Sequence, residues 1–365
     1  MAILNYGQEV VFPNLTDEER EKKTLIPQGK VNVVIDSDTK NEVDDQFAIA
    51  WAAKEKERIN LLAVYAAPFS HDCIKKFTGQ SLENADSSAG ITYAEDPGTG
   101  MQLSYEEIFK LYELLGEDPT GKVFKGSDAY ITDKGGAIES EAARDLIKKA
   151  HEVEDTLYVL TIGAITNVAS AILLDPSIIT KICVVWLGGQ PIRFGHGIEF
   201  NLMQDTAAAN VIFESGVPLI YIPCMSVASM LTLTEDEIKN NMIDKNPLST
   251  YLGKNCTEAF GSPEQAAMIN LFLRGMYLRG QDDQPMEYLG AYPTTKASNS
   301  RIIWDISTVA TIINPSWQCS KMVDAPVLNP DCSYKPERLN HKIREVNYLF
   351  RDYIFGEMIY ALNEK

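Results

Sequence analysis

Five stretches of this chain are apolar at nearly every position, where a half-exposed strand would alternate apolar with polar residues: Val31–Asp36, Ile59–Tyr65, Thr156–Ile162, Ile182–Leu187 and Val217–Ile222. A strand apolar on both sides must be covered on both sides, and a parallel sheet with helices above and below does this. The intervening residues agree. Val43, Phe47, Ala50 and Trp51 mark the inward face of a helix expected from Val43 to about Lys56, and further helices are expected over Ala137–Lys149, Asn167–Leu174 and Ala207–Glu214. The connections are long enough for the crossovers that parallel strands require. The pattern predicts an α/β fold, an open and mostly parallel sheet flanked by helices.

Outside this repeat the reading is coarser. Residues 67–104 are rich in Gly, Ser, Asp and Pro, including Pro97-Gly98-Thr99-Gly100, and predict mainly loop, followed by a helix from Tyr105 to about Leu115 that ends before Gly116. Residues 224–300 predict helices and loops, with one helix from Pro263 to about Leu278. An apolar stretch runs from Ile302 to Ile313, residues 320–340 read as irregular and 341–362 as largely helical. Without a low-complexity linker to divide it, the chain reads as an N-terminal extension over 1–30 and a single domain over 31–365 with a loop-rich elaboration.

Charge narrows the partners. With 51 acidic and 33 basic residues the formal charge is -18, which repels nucleic acid polymers and anionic membranes. A bound metal ion can reverse that field locally, so small polar ligands stay open. Residues 1–30 contain no apolar targeting core, and no run reaches the length of a membrane span. The six cysteines show no paired metal-binding spacing and read as reduced residues of a cytoplasmic protein. Nor does the chain anchor a Ser-His-Asp or Cys-His triad, which argues against nucleophilic catalysis by those groups.

The sharpest local feature is Asp36-Ser-Asp38-Thr-Lys-Asn-Glu-Val-Asp44-Asp45, at the end of the first apolar run and the start of the first helix. Helix capping accounts for one or two of these oxygens but leaves the rest unexplained. An oxygen-rich set suits Ca²⁺ or Mg²⁺. Asp38 and Asp45 can fold toward one ion, and distant Asp305, also after an apolar run, can complete the cage if the strands are parallel. Spacing alone does not choose the ion. A competing reading takes Asp36-x-Asp38 as the opening of a haloacid-dehalogenase-like phosphatase, with Asp36 as nucleophile and Asp38 as general acid or base. Lys40 stands where that pattern wants Thr or Val, and its later Lys and Gly-Asp elements are missing.

Val33-Val-Ile-Asp-Ser-Asp38, followed by Val43-Asp-Asp-Gln-Phe-Ala-Ile49, resembles the inosine-uridine nucleoside N-ribohydrolase family. Gly163-Ala-Ile-Thr-Asn167, Leu187-Gly-Gly189, Glu199-Phe-Asn201 with Asp205, Phe213–Pro218 and Trp304-Asp305 continue the resemblance in the family's order. It implies hydrolysis of ribonucleosides to base and ribose on an open α/β core that holds Ca²⁺, commonly in a homodimer or homotetramer. By the same resemblance, Asp38, Asp45, Asp305 and the backbone carbonyl of Ile162 are the metal ligands. Asp38 is also the base that deprotonates water, Asp44 bonds a ribose hydroxyl, and Glu199 and Asn201 grip the sugar. Asp36 supports the loop. Trp304 stands where pyrimidine-tolerant relatives carry His, which implies a purine leaning.

Three departures bear on the substrate. The acidic loop, Thr39–Val43 between its two acid pairs, is two residues longer than the family pattern and lacks its Pro-Gly turn, so Lys40 and Glu42 are candidates to enter the pocket or to stay at the surface. Ala67-Pro68-Phe69 replaces an expected Gly-Asn, and Arg193 stands near a usual Asn, which makes Arg193 and His196 candidates for the 5′ end of the substrate. His71 is a candidate for the leaving group, whereas Trp186 and Trp317 read as packing residues. The alternative in a different class is a noncatalytic, calcium-dependent nucleoside- or ribose-binding protein.

Overall fold

The computed structural model describes residues 3–73, 92–258 and 300–365. Its centre is an eight-stranded sheet. In chain order the strands are β1 (Val31–Ser37), β2 (Ile59–Ala66), β3 (Val123–Lys125), β4 (Leu157–Thr161), β5 (Ile182–Leu187), β6 (Leu219–Ile222), β7 (Gln318–Leu328) and β8 (Tyr334–Leu349). They lie side by side as β7-β8-β6-β5-β4-β1-β2-β3, all parallel except β7, which runs antiparallel to β8.

The continuous apolar runs are explained by what covers them. Val33 and Ile35 of β1 point into one core layer, with Phe47, Trp51, Ile108, Val309 and Met358, while Val34 points into the other, with Leu146, Val168, Ile172, Trp186 and Phe213. Successive side chains of a strand leave on opposite faces, so a strand between two cores must be apolar throughout. Trp186 is fully buried, with its ring 5.8 Å from Phe213 and 6.0 Å from Tyr221, as a packing residue should be. Trp317 packs at the margin of the other core.

Parallel strands bring their carboxyl ends to one edge. Asp36 on β1 lies opposite Thr161 on β4 and Tyr65 on β2, so the acidic loop leaves the sheet beside Ile162 and beside the loop after Ala66. Ligands of open α/β sheets gather at this edge.

Three boundaries differ from the sequence reading. The stretch expected to be loop up to 104 is helical from Pro97, in one helix Pro97–Leu115. Asp96 caps it by accepting from the Thr99 amide at 3.0 Å, Pro97 needs no amide partner at that position, and Gly116 ends the helix at φ +68°. Its glycines reflect packing rather than loop, since a Cβ on Gly100 would collide with the Phe69 carbonyl. The second difference is the helix expected from Ala137, which begins at Glu141 because the Ser140 hydroxyl caps the Ala143 amide. The third is the largest. Residues expected to be irregular and then helical form the hairpin β7–β8, and helix begins only at Arg351–Glu364. Much of β8 is a solvated ribbon of charged residues, so it shows little of the apolar alternation that announces a strand. The helix expected over Pro263–Leu278 lies outside the described residues. Among the described residues, no helix is long and apolar enough to cross a membrane.

Candidate functional site

The acidic loop descends from β1 into helix Asp45–Lys54. Asp44 is the residue before that helix and Asp305 the residue before helix Ile306–Ile313, positions where a carboxylate ordinarily caps the first turn. Neither side chain makes a capping bond. Instead the carboxylates of Asp44, Asp45 and Asp305 converge, with one oxygen from each lying within 4.8 Å of the others, and all three residues are buried. Two helix N-termini therefore aim at one point and their acids are turned toward each other, which the capping explanation does not provide.

Asp38 joins this cluster electrostatically and is also buried. It sits under Gly163, where a Cβ would lie 3.0 Å from the Asp38 carboxyl carbon, so the glycine leaves room for the acid. Burial, then the charges of Asp45, Asp44 and Glu199, push the Asp38 carboxyl well above the usual range. Burial and neighbouring acids likewise raise Asp44 and Asp305, and burial lifts Asp45 to about 7. Four buried acids that oppose each other's ionisation are a poor design for a protein alone. Hard carboxylate oxygens gathered out of water suit a divalent cation such as Ca²⁺, so the residues present fit the implied metal.

The surroundings hold these acids by hydrogen bonds. The Ser37 hydroxyl donates to Asp45 Oδ1 at 2.5 Å, with the Thr39 hydroxyl 2.5 Å from the same Ser37 oxygen. Asp36 accepts from Asn167 Nδ2 at 2.8 Å, and the same amide group reaches the Ala66 carbonyl at 3.3 Å, tying β1 to β2. Asp36 is thus engaged at the strand end and fully buried, with burial raising it to about 7. The phosphatase reading required an open nucleophile there.

The other expected site residues fall in different places. The Ile162 carbonyl, just past β4, accepts from Asn201 Nδ2 at 3.2 Å, and Asn201 also reaches the Leu187 carbonyl at 3.0 Å. Glu199 precedes the short helix Phe200–Gln204 and accepts from the amides of Gly189, Asn201 and Leu202 at 2.6, 3.0 and 3.1 Å; burial lifts its carboxyl to about 7. Trp304 is 7% exposed within the core next to Asp305, and its indole N–H has no partner among the described residues. Arg193 is exposed and stacks over the Phe194 ring at 5.1 Å. His196 is buried, accepts at Nδ1 from the Ile198 amide at 3.3 Å, and forms a backbone bridge with Ser333 in the β7–β8 turn. His71 is packed among Phe69, Tyr93 and Phe200, accepts at Nδ1 from the Ala94 amide, and is lowered by burial to about 4, so it stays neutral.

Neither Lys40 nor Glu42 is idle. Lys40 pairs with Glu107 at 3.3 Å and Glu42 with Arg301 at 2.8 Å. Arg301 escaped the sequence reading, as did a buried brace in which Gln204 Oε1 accepts from the Ser70 amide and the Tyr130 hydroxyl at 2.9 and 2.8 Å. Tyr130 is near enough to feel the charge of Asp38. Gln204 lies within the Glu199–Asp205 run that carries the resemblance, so that run held a signal for the brace. Arg301 had none beyond its place four residues before Asp305.

Comparison with known proteins accords with this geometry. The family model for inosine-uridine preferring nucleoside hydrolase matches residues 33–338. A probable uridine nucleosidase 2 from Oryza sativa subsp. japonica is 28% identical over 63% of this chain and 67% of its own length, and a second rice relative aligns over 66% of its length. Among solved structures, the plant nucleoside hydrolase PpNRh1 shares the fold at TM-score 0.62 and 15% identity, covering 92% of this chain and 99% of its own. The purine-preferring ribonucleoside hydrolase from Gardnerella vaginalis does so at 0.61 and 18%, covering 91% and 98%. Asp36 and Asp38 lie inside the matched region. The chain belongs to the inosine-uridine preferring nucleoside hydrolase family.

Proposed function

We propose that this protein hydrolyses the N-glycosidic bond of ribonucleosides, giving free base and ribose, with Ca²⁺ at the acidic cluster. The observation that carries this is the convergence of Asp44, Asp45 and Asp305, brought together from far apart in the chain, buried and free of capping duty. Asp38, Asp45, Asp305 and the Ile162 carbonyl would hold the ion. When bound, the ion supplies an electrophilic centre that orients a water and the 2′,3′-diol of the sugar.

This chain's own groups do the rest. Asp38 takes the proton of the attacking water, and can do so only as a carboxylate, a state its acid neighbours oppose and a cation among them favours. Asp44 accepts from a ribose hydroxyl. Asn201 spends its amide N–H groups on the Ile162 and Leu187 carbonyls, which leaves its own carbonyl oxygen to accept from a sugar hydroxyl, beside Glu199. As the glycosidic bond lengthens, positive charge grows on the ribose and these carboxylates favour that state over the neutral substrate. Asp38, Asp44, Asp45 and Asp305 are shielded from bulk water, each being no more than 4% exposed.

We assign the chain a purine leaning because the ring of Trp304, next to Asp305, would stack against a departing purine if the base reaches it. The names of its plant relatives point toward uridine, so the base preference is the sharper test. Free ribose released from inosine, guanosine, uridine and cytidine should be measured at matched concentrations. Faster release from inosine and guanosine is expected; strong uridine preference would overturn the purine assignment, and calcium-dependent binding without ribose release from any of the four would make the protein a binder.

A further inference from the structure

The acidic loop has a mechanical problem. It follows no regular hydrogen-bonding pattern between Asp38 and Asp45, and it must hold mutually repelling carboxylates at one point. Besides the Ser37 hydroxyl on Asp45, its local bonds include the Asn41 amide to the Asp38 carbonyl at 2.7 Å, Asn41 Nδ2 to Asp38 Oδ2 at 3.5 Å, and Gln46 Nε2 to the Glu42 carbonyl at 3.2 Å. These stay within the loop and its flanks and do not reach the other half of the site, which Asp305 supplies.

One contact does. Glu42, inside the acidic loop, pairs with Arg301 at 2.8 Å, with side chains only 16% and 8% exposed. Arg301 lies in the strand Ser300–Ile302, whose antiparallel partner is Thr232–Thr234, with Arg301 opposite Leu233. The next amide, of Ile303, donates to the Leu231 carbonyl at 2.8 Å, and Asp305 follows two residues later. The guanidinium is therefore mounted on a hydrogen-bonded segment that also sets the height of Asp305. By contrast, Lys40 pairs with Glu107 from a position 35% exposed and touches the helix Pro97–Leu115, away from Asp305.

We propose that the buried Glu42–Arg301 pair is a positioning device that locks the acidic loop to the segment carrying Asp305, so that the acids of the two segments meet at metal-binding distance. The inference rests on the metal-site reading given above. A pair of this kind contributes little net stability over an apolar substitute, because both charges are desolvated. Its value lies in register, since an ion pair fixes which residue of the loop faces residue 301. Glu42 and Arg301 touch neither water nor sugar in this scheme and act only through Asp44, Asp45 and Asp305.

Calcium titration calorimetry on the full chain, stripped with EDTA, tests this with wild type, Glu42→Gln, Arg301→Gln, Arg301→Lys and the double variant Glu42→Gln/Arg301→Gln. Both single neutral variants should bind Ca²⁺ about 10- to 100-fold more weakly, as for lost supports of metal ligands. The double variant should be no weaker than the weaker single one, and Arg301→Lys should recover part of the loss. Arg301→Gln is the discriminating variant, because charge alone predicts that removing a nearby cation tightens calcium binding, whereas removing Glu42 weakens it on either account. Tighter binding by Arg301→Gln, unchanged affinity in either neutral variant, or strictly additive losses would overturn the positioning role. Should a single variant fail to fold by near-ultraviolet circular dichroism, the double variant, which leaves no buried charge unpaired, decides: weakened binding supports the lock and wild-type affinity overturns it. Wild-type protein that binds no Ca²⁺ would overturn the metal site itself, and the lock with it.

Discussion

The two ends of the sheet are both polar, yet only one is built for chemistry. At the amino ends of β1 and β2 lies a cavity of about 420 Å³ walled by groups that include Lys30, Lys56, Asn60, Glu117 and Lys122. Its charges are hydrated: Lys56, whose side chain is 70% exposed, meets Glu117 at 2.6 Å. Such pairs contribute roughly 0–1 kcal/mol and hold nothing in place. At the carboxyl ends, Asp38, Asp44, Asp45 and Asp305 are buried, and burial is the largest cause of each raised carboxyl. The density of charged side chains does not distinguish the two ends. Desolvation does, because only water-poor acids repel strongly enough to call for a cation.

The contrast breaks most visibly if acids at the carboxyl end can be removed without consequence. Asp305→Asn and Asp45→Asn should each abolish calcium binding by calorimetry and bring ribose release to background, whereas Asp38→Asn should keep most of its ion affinity and lose about 10²- to 10⁴-fold in turnover. Equal turnover of Asp38→Asn and wild type at equal calcium occupancy would remove Asp38 as the base. A smaller effect belongs to Trp304. Replacing it by alanine should cost purine nucleosides about 1–3 kcal/mol in kcat/KM, the range for a base stacked on an aromatic ring, and leave uridine less affected. Equal losses for inosine and uridine would assign Trp304 to the core alone.

Subtler still is the pH dependence of the ion-free protein. Burial holds Asp36, Asp45 and Glu199 near 7, above their values in an unfolded chain. The folded state therefore keeps protons that the unfolded state releases as pH rises above about 4, and the stability tied to them is present at low pH and lost as pH climbs through about 7. Thermal unfolding in EDTA should show a lower midpoint at pH 8 than at pH 5.5, and added Ca²⁺ should restore more at pH 8. A midpoint in EDTA that rises over this interval would mean the acids are not buried as described. At the opposite end of the sheet, Lys56→Gln should change stability by less than about 0.5 kcal/mol and leave turnover unaltered.

How far the sequence could be read follows the same line between buried and solvated. The β1, β2, β4, β5 and β6 runs were legible because cores on both faces make them apolar throughout, and the acidic motif was legible because it interrupts such a run. The hairpin β7–β8 was not, since its solvated residues obey no core and Glu337, Arg338 and Lys342 look the same in a strand as in a helix. Asp44 shows a finer limit. The resemblance implied a sugar contact for it, and the structure adds that its carboxylate makes no capping bond and lies beside those of Asp45 and Asp305. Arg301 was illegible for a plainer reason: a lone arginine 259 residues from its partner carries no local pattern, and only the packed strand beside Thr232–Thr234 brings it to Glu42.

The most direct test is ribose release from inosine before and after the ion is stripped from the wild-type protein. Turnover that disappears on exhaustive EDTA treatment and returns on adding Ca²⁺ is the predicted result. Stripped protein that releases ribose at the untreated rate would contradict a metal-dependent hydrolase assembled from these four aspartates.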